Sequence, residues 1–181
     1  MNDMPKDCRK KVQNSPTDAN NGPRSLMPKI FFLHGLDSSG QGTKGRFFEK
    51  HFPHIRRPDF SGTLENRLRR LEELCGNEQN LIGSSFGGLM AASYAVARPG
   101  QVDRLILLAP ALNFAEYRPP ARKVSIPCLL IIGRNDTVTP PDVVLPMAEA
   151  TFHNLEVLTP DDDHLLHKTF MNLEWGDILS V

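Results

Sequence analysis

The 181-residue sequence has no excess of charge of either sign, because Lys and Arg number 21 and Asp and Glu also number 21. A protein that binds nucleic acid is expected to carry a basic excess on one face. Long hydrophobic runs are also missing, and none approaches the roughly 18 residues that a membrane-spanning helix needs. The sequence therefore predicts no nucleic-acid partner and no membrane partner.

Cysteine is scarce as well, with three residues, Cys8, Cys75 and Cys128, in no metal-ligand spacing. The N-terminus lacks the charged segment and following apolar segment of a secretory signal. We expect a cytoplasmic protein with reduced thiols, no metal and no organic cofactor. The sequence leaves the oligomeric state open.

The chain divides into a polar N-terminal stretch and a longer part with a regular apolar pattern. Residues 1–28 hold Asn, Ser, Pro and scattered apolar positions, so they cannot bury enough surface to offset the entropy of ordering. We expect a disordered tail there. It is either an extension without function, in which case Met27 could be the natural start, or a basic interaction arm. Residues 29–181 have the size of one compact domain.

From residue 29 onward, short apolar runs alternate with stretches of helical periodicity. This alternation is typical of an α/β fold, with a mostly parallel sheet and helices on both faces. The predicted strands are 29–33, a weaker one near Ile55, 80–82, 104–108, 128–132 and 155–158. The predicted helices are 43–51, 64–74, 86–97, 142–151 and a last one from about Leu165. An open sheet of about six strands would place ligands at the carboxyl ends of the strands.

A strand-turn-helix signature follows the strand at 80–82. Residues 83–87, GSSFG, fit G-x-S-x-G with Ser85 at the centre, which is the pattern of a nucleophile elbow. The glycines are required because a Cβ at either position would meet neighbouring backbone. The turn would lift the Ser85 hydroxyl above the sheet and direct the Phe86 amide at a developing oxyanion. Ser84 is a competitor, but it does not occupy the centre of the motif.

A serine hydroxyl attacks an ester only with a histidine base and a carboxylate that orients the base. Asp136 follows the strand at 128–132 in GRNDTVTP, and His164 follows the strand at 155–158 in TPDDDH. The chain order Ser85, Asp136, His164 is the order expected when a nucleophile elbow supplies the serine. The sequence therefore predicts a Ser-His-Asp triad.

The triad candidates also have simpler interpretations. Asp136 lies in an Asn-Asp-Thr sequence, where a carboxylate commonly caps a turn. The run 161–163 of three aspartates fits a solvated charge cluster or the N-cap of the last helix. His167 competes with His164 as the base, and we favour His164 because it precedes the predicted helix.

The loop after the first strand, GLDSSGQGTK from Gly35, matches the glycine spacing of the phosphate-binding motif G-x-x-x-x-G-K-[ST]. However, Gln41 occupies the position of the lysine that grips the phosphates, and Lys44 comes three places late. Without that cation the loop loses its contact to the phosphates, which disfavours this interpretation.

The alternative is that the same loop supplies half of an oxyanion hole. Gly35 would let the chain approach Ser85, so that the backbone amide of Leu36 faces the amide of Phe86 across the site. Backbone groups do this work, so Leu36 itself need not be polar. We expect His34 to donate a hydrogen bond to a backbone group behind the loop.

Four segments together resemble the α/β-hydrolase superfamily: HGLDSS from His34, GSSFGG from Gly83, GRND ending at Asp136, and the pair Asp163-His164. The resemblance covers about residues 29–170. The small size, the G-S-S-x-G-G elbow and the H-G-x-x-S-S loop are similar to those of the compact YqiA/YcfP-like serine esterases.

The resemblance implies hydrolysis of esters or thioesters, with Ser85 as nucleophile, His164 as base, Asp136 as its orienter and the amides of Leu36 and Phe86 as oxyanion hole. Many members of the superfamily insert a helical cap after the strand matching 104–108. Here only residues 111–126 precede the next strand, so a cap does not fit and we expect an open, shallow site. The weak substrate-binding candidates, which equally suit solvated loops or packing, are Asp37, Ser38, Phe114 and Tyr117.

The predicted function is a serine hydrolase that cleaves a small-molecule acyl ester or thioester through an acyl-serine intermediate. Two alternatives remain open. One is a binding protein that retains a hydrolase fold without catalysis, and the other is a nucleotide-dependent transferase built on the loop after the first strand. The sequence does not distinguish esterase, thioesterase and amidase, because one fold supports many chemistries.

Overall fold

The computed structural model describes residues 29–76 and 79–180. The predicted disordered tail, residues 1–28, lies outside the described residues. Five strands form one sheet, with every neighbouring pair parallel and the strands in sequence order. They are β1 (Lys29–Leu33), β2 (Gln79–Ser84), β3 (Val102–Leu108), β4 (Cys128–Ile131) and β5 (Leu155–Leu158). The helices are α1 (Thr43–His51), α2 (Leu64–Leu74), α3 (Phe86–Ala97), α4 (Pro141–Thr151) and α5 (Trp175–Ser180), with a 3-10 turn at Phe170–Asn172.

The strands β1 to β4 are apolar on both faces because each face of the sheet has its own core. In β1, Phe31 points into the core formed with α2, α3 and α4, and Phe32 points into the core formed with α1 and the C-terminal segment. Helix α3 is buried along most of its length, consistent with its small residues. The expected α/β sheet with helices on both faces is confirmed.

The weak strand expected near Ile55 is not a full strand, so the sheet has five strands rather than about six. The segment forms a single parallel bridge to the free edge of β1, where the Phe32 amide donates to the Arg56 carbonyl at 2.8 Å and the Arg56 amide donates to the Ile30 carbonyl at 2.9 Å. Two residues later, Pro58 has no N–H to continue the ladder.

This bridge sets the position of the site. The chain leaves β1, passes through α1 to the outer edge at Arg56, and then returns through α2 to β2 on the other side of β1. Helix α1 packs in the core that contains Phe32 and α2 in the core that contains Phe31, so the two helices lie on opposite faces of the sheet. A reversal of direction of this kind opens a crevice at the carboxyl end of β1, where ligands bind in open α/β sheets.

The last helix begins later than the expected position near Leu165. Residues 164–169 form turns, and Leu166 has a φ of 54°, which an α-helix does not accommodate. A 3-10 turn and α5 follow, and they are anchored by aromatic packing. The ring centroids of Phe48 and Trp175 lie 4.8 Å apart, and those of Phe170 and Trp175 lie 5.2 Å apart. This packing holds the C-terminal segment against α1.

Residues 109–127, which join β3 to β4, contain turns and one β-bridge but no helix. A cap domain is therefore not evident, as the sequence predicts. Among the helices of residues 29–76 and 79–180, none combines the length and the hydropathy that crossing a bilayer requires.

Candidate active site

Ser85 lies on the turn between β2 and α3, with φ 54° and ψ −116°, a backbone conformation that is strained for any residue other than glycine. Two close approaches enforce the turn. A Cβ at Gly83 would lie 2.4 Å from the Gly87 carbonyl oxygen, and one at Gly87 would lie 2.0 Å from the Leu33 carbonyl oxygen. Only glycine fits at these positions, so the local sequence forces the serine out of the sheet at the end of β2.

Three side chains from three loops meet above this turn. Ser85 Oγ lies 3.0 Å from Nε2 of His164, and Nδ1 of the same ring lies 2.9 Å from Oδ2 of Asp136. Asp136 follows β4 and His164 follows β5, so parallel strands bring both loops to the same edge as the end of β2. His167 lies on the same segment, but its ring is 3.9 Å from the Asp163 carboxylate and is mostly exposed.

Asp136 is buried, and both of its carboxylate oxygens are used. Oδ1 accepts from the amides of Val138 at 2.9 Å and Thr139 at 2.8 Å, while Oδ2 accepts from the Thr139 hydroxyl at 2.6 Å and faces His164. Burial opposes ionisation, but the hydrogen bonds from Thr139 and His164 outweigh it and hold the pKa of Asp136 below its usual value. One oxygen of Asp136 therefore caps the turn, and the other faces His164.

A second buried carboxylate, Asp162, shapes the loop that carries His164. Its Oδ1 accepts from the Asp163 amide at 2.9 Å, and its Oδ2 accepts from the amides of Lys168 at 3.0 Å and Thr169 at 2.8 Å. Burial opposes ionisation here too, but these amides hold the pKa of Asp162 below its usual value. The carboxylate closes the turns at 164–169, so it is neither a solvated charge nor a helix cap.

His34 lies behind the loop that follows β1 and is buried. Its Nδ1 lies 2.7 Å from the Gly35 carbonyl oxygen, to which it donates, and its Nε2 accepts from the Phe60 amide at 2.9 Å. Burial lowers the pKa of His34, and an accepting Nε2 requires the neutral ring. The expected hydrogen bond to a backbone group is present. A Cβ on Gly35 would lie 3.5 Å from the Ser85 Cβ, an ordinary contact, so the close approach expected there is less severe than the one at Gly87.

A cavity of about 460 Å³ opens beside Ser85. The C-terminal segment supplies one wall, which includes Leu165, Phe170 and Met171. Lys44 of α1 holds this wall by donating from Nζ to the Leu165 carbonyl at 2.8 Å, with Nζ 5.4 Å from the Phe170 ring centroid. Burial lowers the pKa of Lys44.

The residues predicted to contact substrate divide into two groups. Asp37, Ser38 and Phe114 line the cavity, together with Leu36 and Phe86, whose amides were the oxyanion candidates. Tyr117 does not line it, which corrects its proposed role. Its side chain is in the core, with the hydroxyl 2.6 Å from Thr151 Oγ1, and burial raises the pKa of Tyr117 to about 12.

Sequence reasoning missed Thr139, Asp162 and the apolar wall at 165–171. The role of Thr139 could have been predicted from the sequence, because a hydroxyl residue three places after an aspartate commonly donates a hydrogen bond back to it in a turn. Asp162 had none, since nothing in a run of three aspartates distinguishes the one that is buried. The wall was hidden by the expectation of a helix from Leu165.

The sequence matches the family model Hydrolase_4, described as serine aminopeptidase, S33, over residues 26–123. One curated relative, phytyl ester synthase 1, chloroplastic, from Arabidopsis thaliana, is 33% identical over 124 residues. That alignment covers 61% of this chain but 16% of the relative, so the chain spans about a sixth of the length of the curated protein it matches.

Solved structures share the fold at low sequence identity. Alpha/beta hydrolase domain-containing protein 10 from mouse gives a TM-score of 0.67 at 20% identity, covering 86% of this chain and 94% of that one. A YdeN-like hydrolase from Pectobacterium atrosepticum gives a TM-score of 0.66 at 23% identity, and the match covers 84% of this chain and 92% of that one. The monoacylglycerol lipase of Paleococcus ferrophilus gives a TM-score of 0.61 at 18% identity, and the match covers 84% of this chain and 91% of that one.

Replacing Thr139 tests the hydrogen-bond network of Asp136. The pKa of Asp136 is lower in the folded protein than in the unfolded chain, where it is about 3.9. Ionised Asp136 therefore stabilises the fold at pH values above about 3.9, and this stabilisation is lost as the pH falls through the folded pKa. Thr139→Val removes one donor to the carboxylate. We expect the free energy of unfolding at neutral pH to fall by about 2 kcal/mol, and the deficit to shrink below about pH 4.

Urea unfolding followed by the fluorescence of buried Trp175 measures this at several pH values. Thr159→Val, at an exposed threonine after β5, is the matched control and should leave the stability unchanged at every pH. A deficit of equal size at acid and neutral pH would show that the lost stability does not come from the ionised carboxylate.

Replacing Asp162 tests the turns at 164–169. In Asp162→Asn one acceptor oxygen becomes a donor, so at least one of the three backbone amides loses its partner. We expect the free energy of unfolding to fall by about 2 kcal/mol and the amides of Lys168 and Thr169 to exchange hydrogen faster. Asp161→Asn, at the exposed neighbour, is the control. Equal protection of these amides in the two variants would contradict the role of Asp162.

Proposed function

Because the chain belongs to the Hydrolase_4 (serine aminopeptidase, S33) family of the α/β-hydrolase superfamily, we propose that it hydrolyses carboxylic esters or thioesters through an acyl-serine intermediate. The observation that carries the proposal is the continuous set of contacts from Ser85 Oγ through the His164 ring to the ionised Asp136. Both contacts in this set are within hydrogen-bond distance, at 3.0 Å and 2.9 Å, which supports the proposed roles.

The proposed reaction has two halves. His164 Nε2 takes the proton of the Ser85 hydroxyl as Oγ attacks the acyl carbon, and the same nitrogen then gives the proton to the departing alcohol or thiol. In the second half, Nε2 takes a proton from water, hydroxide attacks the acyl-serine, and the proton returns to Ser85 as the acid leaves. Asp136 keeps Nδ1 protonated throughout and stabilises the imidazolium that forms.

Two backbone amides are proposed to bind the oxyanion. The Phe86 amide is the first of α3, and the first amides of a helix have no intrahelical acceptor. The Leu36 amide shares a peptide group with the Gly35 carbonyl, which His34 holds. Because the N–H and C=O of a trans peptide point in opposite directions, a carbonyl directed at His34 leaves the Leu36 amide directed away from it. Charge that develops on the acyl oxygen would lie between these donors.

The cavity favours an apolar acyl group. Four of the seven large hydrophobic side chains that are exposed in the described residues surround it, namely Leu36, Val138, Leu165 and Met171. Exposed apolar surface concentrated around one cavity is typical of a ligand-binding site. Two of the similar proteins also have names that refer to esters or lipids: phytyl ester synthase and monoacylglycerol lipase.

The alternative functions have weaker support. A nucleotide-dependent transferase would use Lys44 to grip phosphate, but Lys44 is held by the Leu165 carbonyl and the Phe170 ring. A binding protein without catalysis would have no need of a strained serine in contact with a histidine. Both alternatives are outcomes of the first experiment below.

The first test is covalent labelling with a fluorophosphonate, read by intact mass. We expect one adduct on the native protein and none on Ser85→Ala, because the probe reacts with a serine that an adjacent base activates. Ser84→Ala is the matched control, since it removes the neighbouring hydroxyl and should label normally. Unlabelled native protein is then assayed with p-nitrophenyl esters, acyl-coenzyme A thioesters and leucine p-nitroanilide.

Labelling followed by turnover of the anilide alone would replace the ester proposal with a peptidase. A folded native protein that never labels would contradict the serine mechanism and favour the binding-protein alternative. Thermal protection by magnesium and ATP, in the absence of labelling, would favour the transferase.

A second test concerns the apolar rim of the cavity. Leu165→Ser with Met171→Ser removes two exposed apolar side chains that a long acyl chain would cover. At roughly 25 cal/mol per Å² of buried apolar area, we expect the kcat/KM ratio of p-nitrophenyl decanoate to p-nitrophenyl acetate to fall about tenfold.

The control pair is Val143→Ser with Leu158→Ser, which removes two exposed apolar side chains outside the cavity. The decanoate to acetate ratio should stay at the native value in this pair. If both double variants lower the ratio equally, the rim does not contact the acyl chain.

A further inference from the structure

Helix α2 carries three arginines, and one of them is buried. The side chains of Arg69 and Arg70 are 63% and 55% exposed and pair with glutamates of the same helix, whereas Arg67 is 3% exposed. Arg67 comes three residues after Leu64 and four before Leu71, so it lies on the apolar face of α2. A leucine or methionine there would pack without the desolvation penalty of a buried charge. The guanidinium therefore calls for a specific explanation.

The contacts of Arg67 converge on the candidate oxyanion hole. Nη2 donates to the Leu36 carbonyl at 3.2 Å, and the guanidinium carbon lies 5.0 Å from the centroid of the Phe86 ring. Nε donates to the Gly62 carbonyl at 3.2 Å, which fixes the guanidinium relative to the start of α2. One side chain thus contacts both residues whose amides are proposed to bind the oxyanion.

Leu36 is held from two directions as a result. His34 holds the carbonyl of the peptide before it, and Arg67 holds the carbonyl of the peptide after it. With both flanking peptide planes fixed, the Leu36 amide has little freedom to rotate. On the other side of the site, the guanidinium packs on the Phe86 ring, which also contacts Phe114 edge-on at 5.7 Å.

The Nη1 of Arg67 has no hydrogen-bond partner among residues 29–76 and 79–180, although it is buried. A guanidinium stays protonated in proteins, and in a low-dielectric interior its charge is weakly screened. The carboxylate of Asp37, which lines the cavity, is the acidic group that acts on this charge. A positive charge in contact with Leu36 and Phe86 would still favour negative charge that develops between their amides.

We propose that Arg67 is a positioning residue of the oxyanion hole, which fixes the Leu36 peptide and the Phe86 ring and adds positive potential behind them. The inference rests on the proposed function, because it concerns the transition state of that reaction. It predicts that loss of Arg67 slows acylation of Ser85 without weakening the binding of substrate. A guanidinium that only stabilised the fold would leave the rate constants of the folded protein unchanged.

The test compares Arg67→Met with Arg69→Met, which makes the same substitution at an exposed site of the same helix. The second-order rate of fluorophosphonate labelling is measured first, because the phosphoryl oxygen of the probe uses the same donors as the acyl oxygen. The values of kcat and KM for a p-nitrophenyl ester follow. We expect Arg67→Met to lower the labelling rate and kcat on the order of a hundredfold with KM changed less than about twofold, and Arg69→Met to match the native protein.

Arg67→Lys keeps the charge but replaces the planar fork with a single ammonium group, which cannot reproduce the contacts to both carbonyls. We expect its labelling rate to fall about tenfold, between those of the native protein and Arg67→Met. This variant also keeps the test decisive if Arg67→Met does not fold.

The proposal would be overturned, and the proposed function left intact, if folded Arg67→Met labelled at the native rate. If Arg67→Met does not fold, a native labelling rate in Arg67→Lys has the same meaning. An increase in KM without a change in kcat would also overturn the proposal, because that result assigns Arg67 to substrate binding. If the native protein does not label at all, that result contradicts the proposed function instead, so the two outcomes are distinguishable.

Discussion

The rest of the site depends on one steric constraint, the close approach of the β2–α3 turn to the end of β1. With Gly87 against the Leu33 carbonyl and Gly83 against Gly87, the chain passes Ser85 only with a positive φ. The serine then stands above the edge of the sheet, and α3 starts directly after it. The apolar residues of β2 and α3 on either side of Ser85 are buried, and this burial maintains the strained conformation. A local distortion that relieved the strain would disturb the packing of both cores.

Around this turn, the polar chemistry is organised by buried carboxylates that backbone amides satisfy. Asp136 and Asp162 each accept from amides of their own loops, so each carboxylate folds the segment that presents a site residue. Paired in this way, the charges do not carry the full penalty of burial, and both remain ionised well below neutral pH. The same hydrogen bonds that shape the loops therefore keep Asp136 negative beside His164.

The sequence predicted the parts of the structure that local pattern determines. All four helices that precede the C-terminal segment and the five strands appear near their expected positions, because apolar periodicity follows directly from which faces are buried. The meeting of Ser85, Asp136 and His164 was predictable because each residue follows a strand of the parallel sheet. Arg67, Asp162 and Tyr117 were not, because their burial depends on contacts distant in sequence. The helix expected from about Leu165 does not form there, because Leu166 has a positive φ. Leucine has no turn propensity, so this turn could not be predicted from the sequence.

The C-terminal segment has two roles in the proposed reaction. Residues 162–171 carry His164 at one end and the apolar wall of the cavity at the other. The wall is held by Lys44 and by Phe170 packing, and the base is held by Asp162 and Asp136, so the two functions share one short backbone. A change in this segment that widens the cavity also risks moving the imidazole relative to Ser85. In the proposed reaction, selectivity for the acyl group and efficiency of proton transfer are therefore coupled through this segment.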